Sequence, residues 1–185
     1  VRAVWVAPFQ PSPNRDNGYD VADFYGVDPR HGSSGDFVEF MHQAEKRGMY
    51  VVLDLHGAAG SQGVEHHSGC ANRNAYWSEP DNQARTEWLW RQVASRYKDR
   101  GAVAGYSVLN EPWGTDPDTM AANVRKLYQA IRAVDTNHVI ILPGHSRNGI
   151  DAYGRPADHG MTNVASATAW ETANTSDQPS CPSSK

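Results

Sequence analysis

A carboxylate stands beside an amide and an indole in residues 108–114, which read Val-Leu-Asn-Glu-Pro-Trp-Gly. Glu111 follows an apolar run typical of a buried strand. A carboxyl group there loses hydration, which favours the protonated form that a general acid needs. Asn110 carries an amide that can hold a sugar hydroxyl or orient the acid, and Trp113 offers a ring face to a sugar. The segment therefore predicts acid catalysis on a carbohydrate. A glutamate at a helix start beside a turn proline is the open structural alternative.

A histidine follows a second apolar run at residues 49–55. His56 begins a loop that reads His-Gly-Ala-Ala-Gly-Ser-Gln, and glycines let the backbone of such a loop come close to a ligand. The residues alone leave two interpretations open. His56 lines a binding site, or it is a buried, hydrogen-bonded histidine beside a flexible loop.

The elements that must position these side chains alternate along the chain. Helices are predicted at 36–47, 82–99 and 117–134, and strands at 1–6, 49–55, 105–109, 138–142 and 164–169. Ser34 and Gly48 have the residue types of an N-cap and a C-cap for the first helix. The strand-like runs are continuously apolar, which is typical of parallel strands buried on both faces, so we expect an α/β fold. Polar residues such as His56, Glu111 and His145 would then gather at the carboxyl ends of strands, as in a TIM barrel or a doubly wound sheet.

Composition and charge exclude several classes of protein. The 185 residues carry a net charge of −4 without a basic block, so no nucleic-acid partner is expected. No apolar run approaches the ~18 residues of a membrane span, and no G-x-G-x-x-G or Walker loop supports a nucleotide cofactor. Cys70 and Cys181 could form one disulfide or remain thiols. Because the chain opens at Val1 within a strand-like run, the sequence neither reveals nor excludes a secretory leader.

Two clusters contain metal-ligating side chains in unsuitable patterns. The first comprises His66, His67 and Cys70. The second comprises Asp16, Asp20 and Asp23. The first matches no usual zinc spacing, and the second lacks the glycine and the terminal glutamate of a calcium loop. We therefore expect no metal centre and no cofactor.

Residues 49–144 resemble glycoside hydrolase family 5, a family of cellulases and exo-glucanases built as TIM barrels. The resemblance is carried by "LDLHGAAGSQ", by "HHSG", by "NQARTEWLWRQVASRYKDRGAVAGYSVLNEPWG" and by "LYQAIRAVDTNHVIILPG". It implies that Glu111 of the Asn-Glu-Pro motif is the general acid/base. It also implies that Asn110 contacts the 2-hydroxyl of the sugar, and that His56 of the Leu-His-Gly motif lines the glycone subsite.

Residues 4–55 resemble another family, glycoside hydrolase family 13, which contains α-amylases, α-glucosidases and trehalose synthases. The matching text begins "VWVAPFQPSPNRDNGYD" and ends "GMYVVLDL". The resemblance implies that Asp20 of Asn-Gly-Tyr-Asp binds a terminal glucose. The next signature of that family, Asp-x-x-x-Asn-His, fails after Asp54, and its Gly-x-Arg-x-Asp nucleophile motif is absent. The sequence is therefore similar to a join of two barrel families near residues 49–55.

A retaining glycosidase also needs a second carboxyl group about 5 Å from the first. No residue after Glu111 matches the nucleophile motif of family 5. Glu171 is the best candidate because it follows the last predicted strand, and a solvated loop carboxylate is the alternative for it.

Together these observations predict an α/β fold, specifically a partial or shortened TIM (β/α) barrel with about five parallel strands, because a full barrel takes about 250 residues. One incomplete catalytic domain would span residues 1–174, followed by a Ser/Pro-rich tail at 175–185. The resemblance implies a glycoside hydrolase that cleaves a β-glucan, with an oligo- or polysaccharide as partner and an extracellular location. An α-glucan-active enzyme of the amylase or trehalose-synthase type and a carbohydrate-binding barrel without turnover are the alternatives. A second copy of the chain could complete an incomplete barrel.

Overall fold

A computed structural model describes residues 4–65, 68, 72–144 and 154–167. Three helices and four strands follow one another along these residues. In chain order they are α1 (Ser34–Lys46), β1 (Val51–Asp54), α2 (Pro80–Tyr97), β2 (Val103–Ser107), α3 (Pro117–Arg132), β3 (Val139–Pro143) and β4 (Val164–Ala167). A short 3₁₀ turn, Pro156–His159, precedes β4. The helices and four of the five predicted strands are therefore present in the described part of the chain.

The strands form a parallel sheet in the order β1-β2-β3-β4. Leu53 pairs with Tyr106, Tyr106 with Ile140, and Ile140 with Val164, so the register runs straight across the sheet. Parallel neighbours need a crossover, and α2 and α3 supply the crossovers from β1 to β2 and from β2 to β3. This repeat of strand, helix and next parallel strand is the wall of a TIM-type barrel, and it confirms the predicted α/β class.

The main core lies between the sheet and its two crossover helices. Trp90 of α2 and Leu127 of α3 are almost completely buried against Tyr106 and Ile140 of the strands. The indole Nε1 of Trp90 donates a hydrogen bond of 3.1 Å to the carbonyl of Val108. The core therefore fixes the end of β2, from which the segment 108–114 continues.

Residues 4–6 were predicted to belong to a buried strand, and that prediction is wrong. They lie outside any strand, with Val4, Trp5 and Val6 exposed by 58%, 72% and 49%. An apolar run becomes a buried strand only where a paired neighbour and a covering layer exist. Here β1 is the outer strand of the described sheet, and Val52 in its centre is itself 47% exposed. No cover is available for a further strand on that side within the described ranges.

Helix α1 begins at Ser34, two residues before the predicted start, and its N-cap differs by one residue from the prediction. Ser33 is the N-cap, not Ser34, and it exchanges hydrogen bonds with Asp36 in a capping box. Both serines fit the sequence rule, but only Ser33 has the acidic residue three positions later that completes the reciprocal pair. Gly48 follows the C-cap Arg47 with a φ of +63°, the left-handed conformation for which glycine is favoured after a helix.

A buried polar network lies at the end of the sheet where β3 begins, away from the segment 108–114. The Tyr106 hydroxyl donates to Asp135 Oδ2 at 2.7 Å, and His138 Nδ1 lies 2.6 Å from the same oxygen. The main-chain amides of Asn137 and His138 donate to Asp135 Oδ1. Burial would raise the pKa of Asp135, but these hydrogen bonds outweigh it and hold the pKa below its ordinary value. The network joins β2 to the loop that enters β3.

Candidate functional site

Two predicted site residues meet at the carboxyl ends of neighbouring strands. His56 stands two residues beyond β1, and Asn110 stands three residues beyond β2. Their side chains are in contact, with His56 Nε2 3.2 Å from Asn110 Nδ2. The Asn110 amide also donates through its main-chain N–H to the carbonyl of Leu55 at 3.1 Å. The two loops are therefore tied by main-chain and side-chain bonds.

The hydrogen-bond chain assigns a tautomer to His56. His56 Nδ1 lies 3.2 Å from Asp54 Oδ2, and a carboxylate only accepts, so Nδ1 carries the hydrogen. In the neutral ring Nε2 is then an acceptor, which receives a hydrogen from Asn110 Nδ2. The order Asp54–His56–Asn110 consequently orients the Asn110 amide. Its Oδ1 becomes the atom suited to accept a hydrogen bond from a ligand hydroxyl.

Glu111 occupies an unusual backbone conformation next to this chain. Its φ is +39°, in the left-handed region that non-glycine residues rarely adopt. The side chain is partly exposed rather than fully buried, and Pro112 behind it is buried. Such outliers cost about 1–3 kcal/mol and persist where surrounding contacts hold them. The strain therefore marks Glu111 as a residue whose position is imposed by its neighbours.

Trp113 is held in place by hydrogen bonds of its indole and of its main chain. Its indole Nε1 donates to Glu65 Oε2, and its main-chain N–H donates to the carbonyl of Gln62 at 3.0 Å. The Trp77 indole bridges the carbonyls of Gln62 and Trp113 at 3.0 and 3.3 Å. Because the indole N–H is already used, Trp113 can offer a ligand its apolar face but no hydrogen bond.

Aromatic side chains that the sequence reasoning did not select surround His56. The Tyr19 ring lies 4.5 Å from the His56 ring between centroids, and Trp5 approaches the same ring edge-on at 6.3 Å. Tyr19 also lines a cleft of about 170 Å³ together with residues 57–61 and Arg73. The sequence feature that could have identified Tyr19 as a site residue is its position in Asn-Gly-Tyr-Asp, directly before Asp20.

Asp20 uses its carboxylate within its own loop. It accepts hydrogen bonds from Ser12 Oγ at 2.6 Å and from the main-chain amides of Arg15 and Asp16 at 3.0 and 3.4 Å. Partial burial would raise the pKa of Asp20, but these bonds lower it below its usual value. Asp20 shapes the loop that brings Tyr19 to His56, and its contact with glucose stays a prediction.

Several predicted residues lie outside the described part of the chain. They are Glu171, His145, His66, His67, Cys70 and Cys181. In the described ranges no group of three or more His, Cys, Asp or Glu side chains is arranged to hold a metal ion. Among the helices described, none combines the length and the apolar character of a membrane span.

Fold and site together define a class of protein. Parallel strands joined by helices, with amide, imidazole, carboxyl and indole groups at their carboxyl ends, form part of a (β/α) barrel of the type that carries its active site at that face. A family model for cellulase, glycosyl hydrolase family 5, matches residues 18–183, and the chain belongs to this family.

Curated relatives connect both resemblances to named enzymes. A β-xylosidase from Phanerodontia chrysosporium is 41% identical over 104 residues, which are 55% of this chain and 21% of that protein. A trehalose synthase/amylase from Mycolicibacterium smegmatis is 33% identical over 121 residues, or 63% of this chain and 18% of that protein. The family match and these relatives confirm the mixed resemblance to families 5 and 13. The chain spans about a fifth of each relative.

Solved structures support the barrel assignment. Endo-glycoceramidase II from Rhodococcus, in complex with a cellobiose-like imidazole, has a TM-score of 0.58 at 18% identity. The similarity covers 77% of this chain and 43% of that one. Endoglucanase Cel5A of Thermotoga maritima has a TM-score of 0.52 at 25% identity, over 75% of this chain and 42% of that one. The described sheet therefore corresponds to part of a barrel.

Proposed function

We propose that the protein hydrolyses O-glycosidic bonds of a β-glucan, with Glu111 as general acid/base. The observation that carries the proposal is the Asp54–His56–Asn110 chain, which orients Asn110 immediately before Glu111. A side chain that binds the sugar and an acid that protonates its leaving group belong beside each other at the carboxyl ends of adjacent strands. Family membership over residues 18–183 supports the same reaction class.

In the proposed reaction Glu111 gives its proton to the glycosidic oxygen while the bond from that oxygen to the anomeric carbon lengthens. Asn110 Oδ1 accepts a hydrogen bond from the 2-hydroxyl, a contact of the kind that strengthens as the ring approaches an oxocarbenium-like state. In one route a second carboxylate attacks the anomeric carbon as the leaving group departs, and a water that gives its proton to Glu111 then hydrolyses this glycosyl-enzyme. In the other route the second carboxylate takes a proton from a water that attacks the anomeric carbon directly. Glu171 is our candidate for that carboxylate. Trp113 stacks on a neighbouring sugar ring.

The choice of a β-linked glucan rests on the family 5 part of the chain, which contains Glu111, Asn110 and His56. A structure of Cel5A from Thermotoga maritima with cellobiose substrate is 25% identical to this chain at a TM-score of 0.51 and supports a β-glucoside. The β-xylosidase relative makes a β-xyloside the nearest competing substrate.

An α-glucan substrate is the second candidate, and it rests on the first quarter of the chain. A trehalose-6-phosphate hydrolase from Escherichia coli is 47% identical over 55 residues, which are 30% of this chain and 10% of that protein. The bonds that Asp20 makes to its own loop weigh against this candidate. Carbohydrate binding without turnover is the third candidate and follows if no second carboxylate reaches the site.

The test measures reducing sugar released from carboxymethyl-cellulose, laminarin, xylan and starch by the wild type and by Glu111→Gln. Glu45→Gln is the matched control, because Glu45 is an exposed glutamate on α1. Loss of a general acid lowers kcat by about 10²–10⁴-fold. We expect that loss on a β-glucan for Glu111→Gln and unchanged rates for Glu45→Gln. Equal rates in the two variants would refute the role of Glu111, and turnover of starch alone would favour the second candidate.

A further inference from the structure

We propose that Gln62 is the positioning residue that holds Glu111 in its reactive conformation. The proposal rests on the proposed role of Glu111. It concerns a residue in the loop after β1, which lies 49 positions before Glu111 in the sequence.

Gln62 is completely buried, and every part of its side-chain amide is used. Nε2 donates to the carbonyl of Asn110 at 2.7 Å and to the carbonyl of His56 at 2.9 Å. Oε1 accepts the main-chain N–H of Ala58 at 2.8 Å. One side chain thus joins the residue before Glu111 to the loop that contains His56.

The main chain of Gln62 makes a second connection to the same segment. Its carbonyl accepts the N–H of Trp113 at 3.0 Å. Gln62 therefore bonds the peptide group immediately before Glu111 and an amide two residues after it. These two bonds bracket the residue whose φ is +39°. Because a left-handed non-glycine residue needs external support, the bracket is what keeps Glu111 in this conformation.

The local backbone explains why Gln62 reaches across. Gly60 and Ser61 both adopt positive φ, +82° and +65°, so the chain turns sharply just before Gln62. Gly63, directly after it, packs against Trp113, and a Cβ at Gly63 would lie 2.9 Å from Trp113 Cδ1. The turn at Gly60 and Ser61 and the missing side chain at Gly63 together allow the loop to pack closely against the segment 110–114. A glutamine that served only its own loop would have no bond to Asn110.

Loss of this bracket should affect the chemical step more than substrate binding. A displacement of about 1 Å in a reacting group lowers the rate by about 10²-fold, even when the substrate still binds. We therefore expect Gln62→Met, which keeps the length but removes both donors and the acceptor, to lower kcat about a hundredfold with KM nearly unchanged.

Gln62→Glu gives a signature that a general packing defect would not produce. An ionised carboxylate cannot donate to Asn110 or His56, whereas a protonated carboxyl group donates one O–H. The activity of Gln62→Glu relative to the wild type should rise as the pH falls, and the relative activity of Gln62→Met should stay constant with pH. Gln83 is the matched control, because its Nε2 also donates to two main-chain carbonyls, those of Tyr76 and Trp77, without reaching Asn110.

The experiment compares Gln62→Met, Gln62→Glu and Gln83→Met by steady-state kinetics across pH and by amide hydrogen exchange. The exchange readout needs no catalysis. Gln62→Met removes the bond to the Asn110 carbonyl but keeps the main-chain carbonyl that accepts from Trp113, and the Asn110 N–H donates to Leu55. If the lost bond holds the segment in place, exchange at both amides should accelerate at least tenfold in Gln62→Met but not in Gln83→Met. Unchanged exchange at both amides, or equal kinetic losses in Gln62→Met and Gln83→Met, would overturn the positioning role. If Glu111→Gln keeps full activity, the proposed function fails, while the exchange data still decide whether Gln62 holds the segment.

Discussion

Asp54 gives the sharpest test of the hydrogen-bond chain that orients Asn110. Its carboxylate selects the His56 tautomer with hydrogen on Nδ1, and that tautomer orients the Asn110 amide with Nδ2 toward His56, which leaves Oδ1 for the proposed contact with a sugar hydroxyl. Asp54→Ala removes this selection. The ring can then place its hydrogen on Nε2, where it meets the Asn110 Nδ2 donor, and the amide must flip. The flipped amide then presents a donor at the place where the proposed contact with the 2-hydroxyl uses an acceptor.

The expected loss of kcat/KM in the Asp54 variants follows from the geometry of the Asp54–His56 contact. A hydrogen bond to a charged group contributes about 1.5–3 kcal/mol and a neutral one about 1 kcal/mol. The Asp54–His56 contact is 3.2 Å long and its side chains are 28% and 21% exposed, so the smaller end of this range applies. Asp54→Asn, which keeps an acceptor but loses the charge, should lower kcat/KM about twofold, the equivalent of the difference of about 0.5 kcal/mol. Asp54→Ala should lower kcat/KM by about 10²-fold, because Asn110 then loses its proposed contact with the substrate.

The assay compares aryl β-glucosides with and without the 2-hydroxyl. If Asp54 acts through Asn110, the loss in Asp54→Ala is large on the normal glucoside and small on the 2-deoxy analogue. Asp99→Asn, an exposed aspartate beyond α2, is the control and should leave both rates unchanged. Equal losses on the two substrates would refute the reasoning, since a general disturbance of the loop does not distinguish them.

Two further predictions concern stability. Leu127→Ala removes a completely buried side chain between α3 and the sheet, and it should lower the free energy of unfolding in urea by about 2–5 kcal/mol. Val38→Ala on the exposed face of α1 should change it by less than about 0.5 kcal/mol, and a similar loss in both variants would contradict the assignment of the core. The pKa of Asp135 is below its ordinary value, so the ionised carboxylate stabilises the folded protein above about pH 4. This stabilisation disappears as the pH falls through the lower pKa of the folded state. Urea unfolding from pH 7 to pH 2.5 should show the difference between wild type and Asp135→Asn shrinking toward acid, and a difference independent of pH would exclude the network as its source.

The parallel sheet was predictable because its strands are short apolar runs and a helix separates β1 from β2 and β2 from β3. The same regularity brought His56 and Asn110 together, since polar residues after neighbouring parallel strands meet at one edge of a sheet. Residues 4–6 have the same apolar character and yet form no strand. Whether residues 4–6 form a strand depends on whether the outer edge of β1 is free to pair and whether another layer covers that side. The composition of residues 4–6 gives no information about either condition.

The supporting contacts of the site were beyond sequence reasoning for a related reason. Gln62 sits in a glycine-rich loop, and its bond to the carbonyl of Asn110 crosses 48 residues. Tyr19 reaches His56 from the segment before α1, which is also distant in the chain. Side chains that act by supporting others carry no motif of their own. Their roles follow from backbone turns, such as the one at Gly60 and Ser61, that only the folded chain specifies.

The left-handed backbone at Glu111 sets stability against activity at a single position. Glycine adopts this conformation without steric strain, so a glycine there would relieve a local penalty of about 1 kcal/mol or more while deleting the proposed acid. A variant library selected only for resistance to heat should therefore enrich glycine at this position and lose turnover, whereas a library selected for turnover should retain the glutamate. The position is thus a poor choice for stabilising design, even though its geometry makes it an attractive one.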